Sequence, residues 1–211
     1  MKVLIVSGGT APSRELIQEQ IKDNSLIVCA DGGGNCLYNY KIIPQYLVGD
    51  FDSIDREALM FFRNKNCKIE KYPKDKNFTD TEIALNKAVD LKADEIVFTG
   101  CTGSRLDHVF ANLGLLLKCN YLNVKGYIKD ENNVIELLYG SKRIKGHKRE
   151  TFSLHAYCDC VRNLSIIGAK YKLDNYNLYM GDGRTVSNEF LDNDVNITFD
   201  TGKLLLVRAR D

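Results

Sequence analysis

The chain opens on an unbroken apolar run, KVLIV (residues 2–6), and similar runs recur at LIVCA (26–30), YLVG (46–49), the weaker KIEKY (68–72), EIVFTG (95–100) and NVKGYI (123–128). Continuous runs, as opposed to strict alternation, mark parallel strands buried on both faces. Segments of helical period lie between them. One starts at Pro12 and runs to about Asp23; another follows YLVG with Ser53 or Asp55 as its cap; a third is led by TDTE (79–82). In a fourth, after Arg105, Leu106, Val109, Phe110, Leu113, Leu116 and Leu117 share one stripe. This alternation predicts a parallel-sheet α/β/α (Rossmann-like) domain over residues 1–131.

After Asn132 the pattern changes. NVIELLYGSKRIKG predicts a hairpin turning at Tyr139-Gly140-Ser141, and TFSLHAYC, LSIIG, KYKL, NLYM, VNITF and KLLLVRAR follow as short strands with frequent turn residues. No helical period appears there. That cadence predicts a β-sandwich over 132–211, so the fold class is α/β plus all-β. An all-β unit of this size is marginal alone, which favours docking on its neighbour or on a second copy.

Composition narrows the partners. The chain has 211 residues, 29 basic against 28 acidic, for a net charge of +1. No electrostatic case exists for a nucleic-acid or membrane-surface partner, and the longest apolar runs are too short to span a bilayer. The seven cysteines are scattered without a C-x-x-C pair, so neither a zinc ribbon nor a dithiol redox site is indicated. Free thiols with no signal peptide fit a cytoplasmic protein.

Most of the unusual chemistry falls in loops that a parallel sheet brings to one edge: SGGT after the first strand, ADGGGN after the second, GDFDS after the third, KDKNFTDTE before a helix, and TGCTGSRLDH after the fifth. Glycines at 32–34, 100 and 103 let backbone N–H groups approach a phosphate, and serve tight strand-to-helix turns equally well. Asp50 and Asp52, two apart in an extended segment, project to one side and suit a hard cation such as Mg²⁺; solvated acids in a turn are the competing reading. Thr79 and Glu82 have capping-box spacing, which leaves Asp80 as a third carboxylate at this edge. Ser104 and Asp107 read as a cap, Arg105 as a phosphate clamp or a surface charge, and His108 as packing.

Three function classes compete on the residues alone. An NAD-binding Rossmann-type enzyme accounts for Gly8, Gly9 and Asp31 but lacks G-x-G-x-x-G. A metal-dependent nucleotide-sugar transferase accounts for DFD only. A non-enzymatic nucleotide-sensing module is separated from a kinase by ATP turnover. No G-x-x-x-x-G-K-[ST] is present, which excludes an ordinary P-loop kinase.

Taken together, CADGG (29–33), GDFDS (49–53), TDTE (79–82), TGCTGSRLDH (99–108), GAKYKLDNYNL (168–178) and SNEF (187–190) resemble the thiamine pyrophosphokinase family, in order and over nearly the whole chain. The resemblance implies an ATP-carrying α/β domain, a thiamine-binding β-sandwich, and a homodimer with thiamine between subunits. It also implies transfer of the diphosphoryl group of ATP to the thiamine hydroxyl, with release of AMP. By that resemblance Asp50, Asp52 and Asp80 hold Mg²⁺, and Asp31, Gly32, Gly33, Asn35, Thr102, Gly103 and Ser104 lie at the nucleotide. Lys76 and Arg105 shield phosphate charge, Asp107 orients or deprotonates the hydroxyl, and Ser187 and Asn188 meet the aminopyrimidine. Two positions depart from the family pattern: Asn77 stands where an acid is common, and Ser104 where glycine is. There is no tryptophan, so an aromatic wall for thiamine falls to tyrosine or phenylalanine, with Tyr171, Tyr179 and Phe190 as candidates.

Overall fold

The computed structural model describes residues 1–22, 25–75 and 77–210, and the chain divides into two compact units, Met1–Glu131 and Asn132–Asp211. The first unit carries strands β1 (Lys2–Val6), β2 (Leu26–Ala30), β3 (Tyr46–Gly49), β4 (Lys68–Lys71), β5 (Glu95–Thr99) and β6 (Lys125–Lys129). All six are parallel, in the spatial order β4-β3-β2-β1-β5-β6. The order reverses between β1 and β5, and loops leaving two such strands bound a crevice suited to a ligand.

Helices α1 (Arg14–Ile21), α2 (Gly33–Tyr40), α3 (Arg56–Arg63), α4 (Asp80–Asp90) and α5 (Leu106–Tyr121) join the strands. Ser13 caps α1, its Oγ accepting the Leu16 N–H at 3.1 Å, so that helix starts two residues beyond Pro12. Thr79 caps α4 by accepting the Glu82 N–H at 3.2 Å, while the Glu82 carboxylate turns to Lys118 at 2.8 Å. Removing the Thr79 hydroxyl with Thr79→Ala is expected to lower stability by about 1 kcal/mol, read from urea unfolding.

The apolar stripe on α5 meets the fully buried face of the helix only at Leu116. Asn112, Leu115, Leu116 and Cys119 are buried, while Leu106 and Phe110 are 66% and 69% exposed. The seat of the helix on β6 explains the difference. A Cβ added to Gly126 would lie 2.9 Å from Cys119 Sγ, so the Cys119 side presses against the strand where it has no side chain. All seven cysteines are free thiols. Burial pushes Cys101 and Cys119 up to about 12, as expected of packing residues and not of nucleophiles. No helix among the described residues is long and apolar enough to cross a membrane.

The second unit is antiparallel. Strands β7 (Asn133–Leu138), β9 (Thr151–Ala156), β12 (Asn188–Glu189) and β14 (Leu204–Ala209) lie in the order β12-β9-β14-β7. Strands β8 (Lys142–Ile144), β10 (Cys160–Ile167), β11 (Leu173–Tyr179) and β13 (Val195–Thr198) form the order β11-β10-β13-β8. The expected hairpin at 139–141 is not made: β7 pairs with β14 and β8 with β13. Leu138 and Ile144, on either side of that turn, belong to one buried cluster with Phe152, Leu154, Leu164, Ile166, Leu204 and Leu206. Carrying the chain from one sheet to the other keeps both flanking side chains in that core.

Candidate active site

The loops after β1 and β5 are zipped together by backbone bonds: Ser7 N–H to Thr99 O at 2.9 Å, Gly9 N–H to Gly100 O at 2.7 Å and Thr10 N–H to Thr102 O at 2.7 Å. Glycine is required at position 9, because a Cβ there would lie 2.3 Å from Thr102 O and 2.5 Å from Gly100 O. Asn112 holds the second loop from below, its Nδ2 donating to Cys101 O at 2.8 Å. Above this zipper opens a cavity of about 600 Å³, lined by residues 7–10, 30–32, 53, 79–81, 100–105, His108, Val109 and Asn112. Gly32, Thr102, Gly103, Ser104 and Arg105, all singled out from sequence, therefore line one space. Gly33 serves packing: its Cβ would sit 2.3 Å from Val6 O, so the start of α2 can cross β1 only without a side chain.

Four carboxylates gather at the β2–β3 edge of this cavity. Asp31 follows β2 and its N–H donates to Val48 O at 2.9 Å, which sets it beside Gly49 and Asp50 on the neighbouring strand. Asp31 is 4% exposed; its Oδ2 accepts the Ser53 N–H at 3.2 Å, while its Oδ1 is buried without a hydrogen-bond partner among the described residues. Asp31, Asp50 and Asp52 each offer an oxygen within 4.8 Å of the other two. Asp80 adjoins them across Gly49, where a Cβ would fall 2.9 Å from Asp31 Cβ and 3.1 Å from Asp80 Oδ1. The glycine, at φ +144°, leaves the acids their room.

Strand alternation is not what unites Asp50 and Asp52. Phe51 between them has φ +67°, a conformation rare for a bulky residue, and Asp50 Oδ1 accepts the Asp52 N–H at 3.1 Å. The segment is a tight turn in which the first acid grips the backbone of the second. Burial, and next the charge of Asp80, push the Asp31 carboxyl above the usual carboxylate range. Asp52 is held below it by hydrogen bonds from Lys74, at 2.8 Å, and Ser53. Hard oxygen donors converging on one point, one of them buried and unpartnered, fit a divalent cation of the Mg²⁺ type. Lys76 lies outside the described residues; Lys74, which the sequence did not single out, is the cation placed against Asp52.

At the other lip of the cavity α5 begins with Arg105 as its N-cap residue and no side-chain cap bond, so neither Ser104 nor Asp107 caps the helix. Arg105 grips Asp107 instead, with Nε to Oδ1 at 3.2 Å and Nη2 to Oδ2 at 2.5 Å. That pairing holds the Asp107 carboxyl below its usual range.

In the second unit Ser187 and Asn188 behave differently from each other. Ser187 is exposed at φ +56°, its N–H donating to Ser153 Oγ at 2.9 Å. Asn188 is buried, and its amide is spent on the backbone: Oδ1 accepts the N–H of Tyr171 (3.0 Å) and of Glu189 (2.9 Å), and Nδ2 donates to Tyr171 O (2.8 Å). It acts as a strand partner for Tyr171, whose ring is left exposed. Asn188→Ala is expected to cost about 1–3 kcal/mol, checked by denaturant unfolding, because it strands those backbone groups.

Comparisons with known proteins agree with one another. A family profile described as the catalytic domain of thiamin pyrophosphokinase matches residues 17–128, and one described as its vitamin B1 binding domain matches residues 141–204. Thiamine pyrophosphokinase of Bacillus subtilis is 29% identical over 209 residues, 98% of each chain. The crystal structure of the Bacillus subtilis thiamine pyrophosphokinase superposes with a TM-score of 0.88 at 28% identity, covering 100% of both chains. That of the Geobacillus thermodenitrificans thiamin pyrophosphokinase gives 0.86 at 31%, covering 100% of this chain and 98% of the other.

Proposed function

This chain belongs to the thiamin pyrophosphokinase family and makes thiamine diphosphate from thiamine and ATP; we propose on that premise how its residues divide the work. The first unit is a Rossmann-like catalytic domain that carries ATP in the β1/β5 crevice. The second is a β-sandwich that presents thiamine, with Ser187 as the polar contact and Tyr171, held by Asn188, as an aromatic wall. The working particle is a cytoplasmic homodimer with thiamine between subunits.

The observation that carries the catalytic reading is the meeting of Asp31, Asp50 and Asp52 oxygens within 4.8 Å beside a cavity of about 600 Å³. Asp31, Asp50 and Asp52 would hold Mg²⁺, with Asp80 as the adjoining acid. The ion, when bound, supplies positive charge against the phosphate oxygens. The glycine-rich loops at 8–9, 32 and 100–103 bring backbone close to the phosphate chain without side-chain obstruction. Lys74, paired with Asp52, and Arg105, at the lip of the cavity, add positive charge.

In the reaction the thiamine hydroxyl oxygen bonds to the β-phosphorus of ATP. The bond from that phosphorus to the oxygen bridging it to the α-phosphate breaks, and AMP leaves with the bridging oxygen. Positioning and electrostatics carry most of such a transfer, so a strong base is not needed. The hydroxyl proton passes to Asp107 as the new bond forms, and from there to solvent, once Arg105 has turned from Asp107 to a phosphate; an anion of higher charge competes well for a surface guanidinium.

Incubation with ATP, Mg²⁺ and thiamine, followed by nucleotide separation, tests this. AMP and thiamine diphosphate are expected, with loss of both on chelation. ADP with thiamine monophosphate, or turnover indifferent to chelator, would overturn it.

A further inference from the structure

Asn35 stands in the first turn of α2, yet its side chain is engaged by the acidic loop. Its Nδ2 donates to Ser53 O at 3.2 Å, and its Oδ1 accepts the Asp55 N–H at 2.8 Å. The amide serves both at once, because its NH₂ donates to one target while its oxygen, on the other branch, accepts from the second. The Ser53 N–H, between these two contacts, goes to Asp31 Oδ2 at 3.2 Å. One turn earlier the Phe51 side chain packs against the cluster that includes Leu47, Ile54, Ala58 and Phe62. The segment 51–55 is therefore pinned at three points while its Phe51 backbone keeps an unfavourable conformation. Such a conformation persists only where its surroundings over-determine it.

We propose that Asn35 is a positioning residue of the cation site, acting on the loop and not on the nucleotide: its amide fixes Ser53 and Asp55 so that Asp50 and Asp52 meet Asp31. This rests on the reading of those carboxylates as metal ligands given above. Groups that orient ligands in this way act on affinity nearly as strongly as modest changes in the ligands themselves.

The test uses Mn²⁺ as a spin probe of the whole protein without substrates, comparing wild type, Asn35→Ala and Asn35→Ser, whose hydroxyl is too short to reach both partners. Amide exchange at Asp55 and AMP affinity in chelator are measured alongside. Either variant is expected to bind Mn²⁺ roughly 10–100-fold more weakly, to exchange the Asp55 amide faster, and to keep its affinity for AMP. If Asn35→Ala fails to fold, Asn35→Ser reads the same quantities. Unchanged Mn²⁺ affinity with weakened AMP binding would overturn the proposal and make Asn35 a nucleotide contact. A wild-type protein with no saturable Mn²⁺ site would remove the carboxylate reading itself, and that failure is recognised without any variant.

Discussion

Asparagine in place of Asp31 is expected to remove nearly all activity while making the metal-free protein more stable. The carboxyl is buried, one oxygen has no hydrogen-bond partner among the described residues, and Asp80 adds a like charge beside it. A neutral amide keeps an acceptor for the Ser53 N–H and relieves the charge. A gain of about 1 kcal/mol is expected at neutral pH in chelator, the usual scale when a strained functional group is replaced. Asp31 binds its proton more tightly in the folded chain than the unfolded value of 3.8, so ionisation opposes folding. Its penalty is absent where both states are protonated and complete once the pH has risen through the raised folded value. The advantage of Asp31→Asn should therefore fade as the pH is lowered toward 4, and thermal melts across that range check the direction. The same substitution is expected to lower kcat/KM by roughly 10²–10³-fold, the scale on which a preorganised charge-stabilising group acts.

The second large effect concerns the turn itself. Asp50→Asn removes a ligand charge but keeps an oxygen able to accept the Asp52 N–H, so the fold should be almost unaffected. A fall of roughly 10³-fold in kcat/KM is expected, about 4 kcal/mol in the barrier. Raising Mg²⁺ should recover part of it if weakened metal binding is the cause. Asp52→Asn should behave alike, with one difference: it also frees Lys74 from its ion pair. Steady-state kinetics over a Mg²⁺ series separates these outcomes, and a loss independent of Mg²⁺ would argue against coordination.

Much of this architecture could be read from residue pattern because parallel strands announce themselves as apolar runs. KVLIV, LIVCA, YLVG and EIVFTG fall on β1, β2, β3 and β5, and their trailing loops converge as the chain order requires. What the pattern hid was decided by packing over distance. Helix α2 starts on Gly33 and Gly34, poor helix formers present because a side chain would strike Val6 or Ile54. The face of α5 was ambiguous because both sides are apolar, and contact with Gly126 chose one. The 139–141 turn looks like a hairpin locally, and only the shared burial of Leu138 and Ile144 shows that it changes sheets.

The site divides in the same way. Asp50 and Asp52 stand out by spacing, though a turn with Phe51 at positive φ, and not strand alternation, brings them together. Asp31 was legible as a polar residue at a strand end; its place among the acids follows from the β2–β3 register, in which Ala30 faces Val48. Asn35 and Asn188 are amides whose targets are backbone atoms, 18 or more residues away for Asn35 and 17 for Tyr171. No motif spacing reports such contacts.

Crystals grown with Mn²⁺ and a non-hydrolysable ATP analogue, read by anomalous scattering, examine the carboxylate centre most directly. A manganese peak within bonding distance of oxygens from Asp31, Asp50 and Asp52, bridging to the phosphates, is the result expected. A peak held by phosphate alone, with those three side chains turned away from it, would contradict the account.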